Sequence, residues 1–121
     1  MKKLLFIILT VLLSGCQKET FHASGLTGEW NWLYTSGGFA GMTYTPESTG
    51  FTSTIEFTPD SIYRIFRDGE LQLESNYHLS PPDLISYDET SILQSFRISK
   101  DTLTLIDQCD DCFMSIYIRI K

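Results

Sequence analysis

Two cysteines, Cys109 and Cys112, are separated by two aspartates and form the most conspicuous chemical motif of the sequence. Thiols at this spacing can act as a redox couple, supply two ligands to a metal site, or close a disulfide across a tight turn. A redox couple needs a stabilised thiolate, which the intervening acidic residues disfavour. The histidines, His22 and His78, have no spacing that completes a tetrahedral metal site with the pair. We predict a structural disulfide, with free thiols as the next alternative and redox or metal chemistry below both.

Other residue types that carry catalysis lack the spacing that catalysis needs. Adjacent carboxylates such as Asp88 and Glu89 fall at turns, where solvated acidic residues are common. The sequence has no Gly-x-Ser-x-Gly segment, and Gly37 and Gly38 are not followed by the Lys-Ser/Thr pair of a phosphate-binding loop. We therefore predict no catalytic residue, no metal ligand, no cofactor and no enzymatic activity.

The N-terminal residues combine a positive start with a short apolar run. Lys2 and Lys3 precede Leu4–Leu13, in which Thr10 is the one polar residue. A membrane-spanning helix needs about 20 apolar residues, and this run is half as long. The pattern therefore predicts a signal peptide over residues 1–15.

The segment Leu13-Ser14-Gly15-Cys16 resembles the lipobox of bacterial lipoproteins, in which small residues precede a cysteine. The resemblance implies that Cys16 becomes the first residue, that its thiol carries a diacylglycerol, and that its amine is acylated with a fatty acid such as palmitate. Two or three acyl chains hold a protein firmly on a bilayer, at about 0.8 kcal/mol per buried methylene. We predict a lipid anchor at Cys16, and a plain secreted protein is the alternative.

This interpretation divides the chain into a signal peptide over residues 1–15, a lipidated tether over residues 16–25 and a folded domain over residues 26–121. Gln17 stands where lipoproteins retained in the inner membrane have aspartate, so the resemblance favours the outer membrane and leaves the leaflet open. Loss of the two signal-peptide lysines takes the formal net charge from −6 to −8. An acidic chain has little attraction for phosphate backbones, which disfavours nucleic acid as a partner.

Strand-forming residues dominate the sequence after the predicted anchor. That part has only two alanines, whereas serine and threonine supply 24 residues and aromatic residues 15, which disfavours helices. Alternation is clearest over Glu70–Leu79, as in a half-buried antiparallel strand. With it, eight strand-like runs are recognisable: Glu29–Thr35, Phe51–Thr58, Ser61–Arg67, Glu70–Leu79, Leu84–Tyr87, Ile92–Ser99, Thr102–Gln108 and Phe113–Ile120.

Turn-forming pairs such as Pro59-Asp60, Asp68-Gly69 and Lys100-Asp101 separate the runs. Connections this short make neighbouring strands antiparallel. Strands spaced about every 8 to 12 residues, with no helix between them, are typical of a sandwich or a closed up-and-down barrel.

One connection, Ser36–Gly50, is longer than the others and contains four glycines. Its apolar residues Phe39, Met42 and Tyr44 would be costly to leave exposed together, so we expect them to pack down on the domain. Two interpretations stay open, a lid that gates one end of a barrel and a loop that completes the core.

The start of the first run, Gly28-Glu29-Trp30, is similar to the Gly-x-Trp signature that opens the first strand of lipocalins. The long first loop and the eight runs also resemble small bacterial lipocalin-like lipoproteins, over most of the chain after the signal peptide. The resemblance implies an all-β, eight-stranded antiparallel up-and-down barrel of the calycin type. It further implies that Trp30 closes the bottom of the barrel against a basic side chain of the last strand, for which Arg119 is the candidate.

Alternation in the last run leads to a different arrangement from the one that the resemblance implies. Met114, Ile116, Ile118 and Ile120 form the apolar set expected to face the interior. In that register Arg119 lies on the outer face of the barrel.

The resemblance and the predicted anchor together imply an envelope lipoprotein whose barrel is a small-ligand-binding or structural module. Eight strands enclose room for side chains or for one small molecule, here expected to be apolar. The alternative is a protein-binding module, because some periplasmic lipocalin-like barrels inhibit proteases. An apolar pocket beneath Phe39 and Met42 would favour a small ligand, whereas a filled barrel with an exposed apolar rim would favour a protein partner.

Overall fold

The structure, a computed structural model, describes residues 25–120 of the chain. Strands make up most of this part. The strands of this part are β1 (Gly28–Gly37), β2 (Met42–Tyr44), β3 (Ser53–Phe57), β4 (Ile62–Arg67), β5 (Glu70–Ser80), β6 (Leu84–Tyr87), β7 (Leu93–Ser99), β8 (Thr102–Asp107) and β9 (Phe113–Arg119). One helical turn, α1 (Pro46–Thr49), follows β2.

The strands form one antiparallel sheet that closes on itself. The strand order is β2-β1-β3-β4-β5-β6-β7-β8-β9, and a further pairing between β1 and β9 completes the ring. Because β2 pairs with the end of β1 outside the ring, the barrel has eight strands. The predicted eight-stranded antiparallel up-and-down barrel is therefore confirmed and is consistent with a lipocalin-like barrel. Each predicted run agrees with its strand to within two residues at either end.

Tight turns fix the antiparallel order, as the turn-forming pairs predicted. Asp68 and Gly69 join β4 to β5 with φ of 49° and 84°, both in the left-handed region that a two-residue hairpin of this twist requires. Lys100 has a φ of 55° in the turn from β7 to β8. Such hairpins leave no room for a helix between strands, so the sheet meanders around the barrel.

Aromatic side chains fill much of the barrel interior. The ring of Phe57 lies 4.9 Å from that of Tyr63 and 5.1 Å from that of Tyr77, and Tyr63 lies 4.6 Å from Tyr87. Contacts at these distances stabilise a core beyond simple burial of apolar area. The buried hydrophobic cluster consists of Leu26, Trp30, Ile55, Phe57, Tyr63, Tyr77, Ile85, Tyr87, Leu103 and Leu105.

Trp30 and Arg119 close one end of the barrel. Trp30 is fully buried, and its indole N–H donates a hydrogen bond to the carbonyl of Leu26 at 3.0 Å. The Arg119 guanidinium lies 4.1 Å from the centre of the Trp30 ring and donates to the carbonyl oxygens of Thr27 and Gly25. The structure thus contains the tryptophan–cation contact that the resemblance implies.

The prediction that Met114, Ile116, Ile118 and Ile120 face the interior is wrong. Ile118 is 41% exposed and Ile120 is 50% exposed. The alternate residues of β9 face inward instead, since Tyr117 pairs with buried Leu103 and packs on the core. The physical reason is that tyrosine and arginine are amphipathic: both bury a large apolar or planar surface and keep a polar end for hydrogen bonds.

The N-terminal predictions lie outside the described residues. They are the signal peptide over residues 1–15, lipidation of Cys16 and all of the tether over residues 16–25 except Gly25. Within residues 25–120, the structure contains no helix long and apolar enough to cross a bilayer.

Candidate functional site

The end of the barrel opposite Trp30 carries the long first loop and the disulfide. Gly37 at the end of β1 pairs with Phe113 at the start of β9, and the turn from β8 to β9 contains Cys109 and Cys112. We call this end the open end. It joins two of the segments that the sequence singled out, Ser36–Gly50 and the cysteine motif.

Cys109 and Cys112 form a disulfide, as predicted, with their Cα atoms 5.5 Å apart. The turn packs directly on the first loop, because a Cβ atom at Gly37 would lie 2.4 Å from the Cys112 carbonyl oxygen. Gly37 also has a φ of 128°. Position 37 therefore requires glycine for two reasons, because a side chain has no space and because other residues rarely adopt this backbone conformation.

The Ser36–Gly50 loop does not fold over the barrel. Phe39 is 94% exposed, Met42 is 53% exposed and Tyr44 is 37% exposed. The expectation that all three pack down is wrong for Phe39. Tyr44 keeps one contact, a ring 6.2 Å from that of Phe113.

Local hydrogen bonds explain why this loop projects outward. Thr35–Gly37 of β1 pairs with Met42–Tyr44 of β2, so the chain leaves and returns as a hairpin in line with the barrel wall. Thr45 then caps the start of α1: its hydroxyl accepts a hydrogen bond from the Ser48 N–H, and the Ser48 hydroxyl accepts one from the Thr45 N–H. The turn ends at Gly50, which has a φ of 83°. Strand pairing and capping satisfy the backbone without help from the core, so the loop needs no apolar packing to hold its shape.

Aromatic stacking fills the barrel beneath the base of this hairpin. Trp32 is buried and stacks on Phe51 at 5.7 Å, and the Arg67 guanidinium lies 4.1 Å from the centre of the Phe51 ring. The Trp32 indole donates to the Thr35 hydroxyl at 2.8 Å, which in turn bonds the Ser115 hydroxyl at 2.8 Å. Side chains therefore occupy this part of the interior.

Buried phenols and an acidic residue form a polar layer in the barrel. Tyr87 donates to the Gln94 side-chain oxygen at 2.6 Å, and the Gln94 amide donates to Asp107 at 2.8 Å. Burial raises the pKa of Tyr117 to about 12, with the Asp107 charge adding to it, and burial likewise raises the pKa of Tyr63 and of Tyr87. Near neutral pH these phenols stay protonated, so they act as hydrogen-bond donors rather than as bases or nucleophiles.

A shallow groove of about 270 Å³ adjoins the disulfide. Ile92 and Leu93 line it with Cys109 and Cys112, and both aliphatic side chains are exposed. Phe113, next to Cys112, connects this groove to the hairpin. We call the resulting surface the open-end rim, and its apolar members are Phe39, Met42, Tyr44, Ile92, Leu93 and Phe113.

Charged side chains are paired on the outer surface of β3 to β6. Arg64 donates to Glu74 at 2.6 Å and to Glu56 at 3.0 Å, and these hydrogen bonds raise the Arg64 pKa. His78 and Asp88 lie 2.8 Å apart. Surface pairs of this kind contribute little to stability. Residues 25–120 contain no group of three or more His, Cys, Asp or Glu that could hold a metal ion.

No protein-family model matches this chain, and no curated protein matches it at a significant level.

The sequence analysis missed two features of the open end. Phe113 was assigned to a strand without a surface role, although its place directly after Cys112 puts it on the rim. The stack of Phe51 on Trp32 was also missed, because it joins residues across the long loop.

Proposed function

We propose that this protein is a lipid-anchored module of the bacterial cell envelope, without catalytic activity, that binds a protein through the open-end rim. The observation that carries the proposal is the exposure of Phe39 at the tip of the hairpin, which is 94%. A phenylalanine held in water by a regular hairpin gains nothing for stability. Its exposure is explained if a partner covers it.

The composition of the rim supports a protein partner. Aromatic residues and methionine are enriched at protein interfaces, and the rim combines Phe39, Tyr44 and Phe113 with Met42. A few such residues commonly carry most of the binding energy. The closed barrel below them supplies a rigid support, and the disulfide fixes the turn that carries Phe113.

The charges around the rim indicate the chemistry of that partner. The connections of the open end carry six acidic side chains: Glu47, Asp68, Asp88, Glu89, Asp110 and Asp111. We therefore expect an apolar segment flanked by lysine or arginine to bind, since complementary charge speeds and orients association.

A small ligand is the second candidate. The groove beside the disulfide has about 270 Å³, which is just below the usual size of a ligand pocket, about 300 to 1,000 Å³. Asp107 lines this groove and also accepts the hydrogen bond from Gln94. A small apolar molecule with one donor group fits this chemistry.

The proposed location is supported by the N-terminal sequence. The lipobox-like segment that ends at Cys16 supports a lipid anchor, and Gln17 supports the outer membrane. Cys16→Ala is expected to abolish partitioning of the protein into detergent phase. If this variant is still acylated and partitions like the wild type, the anchor is refuted.

Site-specific crosslinking tests the rim. A photo-reactive phenylalanine analogue replaces Phe39 in the full protein expressed in bacterial cells, and the same analogue replaces Gln72, an exposed residue of β5, as the matched control. We expect one discrete protein adduct from Phe39, none from Gln72, and loss of the adduct when Met42→Ser and Tyr44→Ser are added.

The outcomes separate the two candidates. Equal adducts from both positions, or an adduct that persists without Met42 and Tyr44, would refute the rim as a protein-binding surface. Native mass spectrometry of the purified protein tests the small ligand, because a copurified molecule would add a defined mass that denaturation removes.

A further inference from the structure

The outer surface of the barrel has an apolar face along β8 and β9. We call it the apolar wall, and it consists of Tyr34, Ile106, Met114, Ile116, Ile118 and Ile120. Four of these side chains are between 36% and 50% exposed. Within residues 25–120, the outward positions of β8 and β9 carry no charged side chain. A contiguous exposed apolar face of this kind marks an interaction surface.

We propose that the apolar wall rests on the lipid bilayer, so that the barrel lies on its side on the membrane. The proximity of that membrane rests on the proposed Cys16 anchor. The apolarity of the wall is independent of the anchor, and so is its position on the barrel.

The described chain begins at the closed end of the barrel, where β9 and the wall also end. The carbonyl of Gly25 accepts a hydrogen bond from Arg119, which lies between Ile118 and Ile120 in β9. Nine peptide units separate Cys16 from Gly25 and reach at most about 30 Å when fully extended. A lipid on Cys16 therefore keeps the closed end of the barrel, where Ile118 and Ile120 lie, within about 30 Å of the bilayer surface.

Tethering makes a modest apolar face sufficient. A short linker converts membrane contact into an intramolecular event at high effective concentration. Each isoleucine that leaves water stabilises the contact in proportion to the apolar area removed. The wall needs to supply orientation, because the lipid already supplies the affinity.

The wall itself is uncharged, and charges of both signs surround it. Glu74 on β5 lies across the barrel from β9. Arg97 and Lys100 flank the wall on the side of β7, whereas Asp101 and Glu29 border it at the closed end. Because the outward positions of β8 and β9 carry no charge, this face can meet a bilayer without taking a charged group out of water.

A second copy of the chain is a weaker occupant. A stable dimer buries about 800 Å² on each partner. Four side chains that are at most half exposed offer on the order of a few hundred Å² of apolar surface. Contact with a bilayer needs no minimum buried area of this kind, because the proposed lipid anchor already holds the protein at the membrane.

Fluorescence at one introduced cysteine tests the proposal. Cys109 and Cys112 are joined in the disulfide, and the Cys16 thiol of the lipidated protein carries the lipid, so the added residue is the thiol that the dye labels. The full lipidated protein is reconstituted in vesicles of phosphatidylethanolamine and phosphatidylglycerol, with an environment-sensitive fluorophore on Ile118→Cys. Gln72→Cys, exposed on β5 across the barrel, is the matched control. Circular dichroism verifies that both labelled proteins keep the strand content of the wild type.

We expect the label on Ile118→Cys to emit at shorter wavelength and to lose most of its intensity when the acyl chains carry a nitroxide. The label on Gln72→Cys is expected to show neither change. Identical behaviour at the two positions would overturn the proposal. A wavelength shift at Ile118→Cys without quenching by the lipid nitroxide would also overturn it, since that result means that protein covers the wall.

The mass of the N-terminal peptide reports the anchor separately. A lipidated protein whose Ile118→Cys label stays in water overturns the wall and leaves the anchor in place. An unlipidated chain refutes the anchor, and the same vesicles are then added to it in solution. Quenching at Ile118→Cys would still support the wall in that case, and its absence would overturn it.

Discussion

The two ends of the barrel use aromatic residues in opposite ways. At the closed end Trp30 is fully buried, donates a hydrogen bond to Leu26 and lies under the Arg119 guanidinium. At the open end Phe39 is almost fully exposed on a hairpin. The difference teaches that one end is built for stability, whereas the other tolerates exposed apolar surface because strand pairing and a disulfide hold its shape.

The largest effect is expected from truncation at the closed end. Trp30→Ala removes the side chain that fills the bottom of the barrel, and we expect a loss of about 3 to 5 kcal/mol in the free energy of unfolding. Phe39→Ala, the matched truncation at the open end, is expected to cost almost nothing. Chemical denaturation of both variants measures this difference, and equal losses would break the comparison.

The tyrosine layer between the two ends gives a pH-dependent effect. Burial raises the pKa of Tyr117 from its ordinary 10 to about 12, so its neutral form is favoured in the folded state. Below pH 10 this contribution is fully present. Between pH 10 and 12 the unfolded chain ionises first, so the contribution of this one phenol to the free energy of unfolding falls by about 3 kcal/mol over the two pH units.

Thermal unfolding across this pH range measures that fall. Tyr117→Phe removes the titrating group, and the variant should therefore lose less stability between pH 10 and 12 than the wild type. An unchanged pH dependence in Tyr117→Phe would show that this phenol contributes nothing to it.

A smaller effect is expected from the disulfide at the open end. Replacing Cys109 and Cys112 together by serine should cost about 2 kcal/mol, because the bridge closes a very short loop. The loss should appear on chemical denaturation of the double variant. Wild-type protein with the bridge reduced is the control, and a reduced protein as stable as the oxidised one would contradict the expectation.

The smallest change in stability is expected at the tip of the rim. Phe39→Ser with Met42→Ser removes two exposed side chains, so the melting temperature should stay within a degree or two, while crosslinking of the partner through the photo-reactive analogue placed at Phe113 is lost. A marked fall in melting temperature would mean that these residues belong to the core after all. Unchanged crosslinking would remove them from the binding surface.

Much of the fold could be predicted from local sequence. Alternation and turn pairs such as Asp68-Gly69 report backbone geometry directly, so all eight barrel strands were found within two residues. The disulfide was predictable because Cys109 and Cys112 lie close in the chain. The contact between Trp30 and Arg119 followed from the resemblance to lipocalins and could not follow from spacing.

The facing of β9 and the course of the first loop could not be predicted in this way. The apolar residues of β9 suggested the wrong interior face, because the amphipathic Tyr117 and Arg119 occupy it and leave Ile118 outside. The exposure of Phe39 depends on pairing of β2 with β1, which alternation in a three-residue strand does not reveal. Both errors arise where burial is decided by partners distant in the sequence.

Closure of the barrel also has a consequence for the rate of folding. The hydrogen bond between Thr35 and Ser115 joins residues 80 positions apart, and β1 meets β9 all along this seam. Pairing at such separation carries a large loop-closure entropy, and proteins rich in distant contacts fold slowly, on the millisecond-to-second scale. Every other neighbouring pair in the ring comes from a nearby segment, so the seam is the step expected to limit the rate. Until it forms, β1 and β9 present open edges that can pair with the strands of other chains.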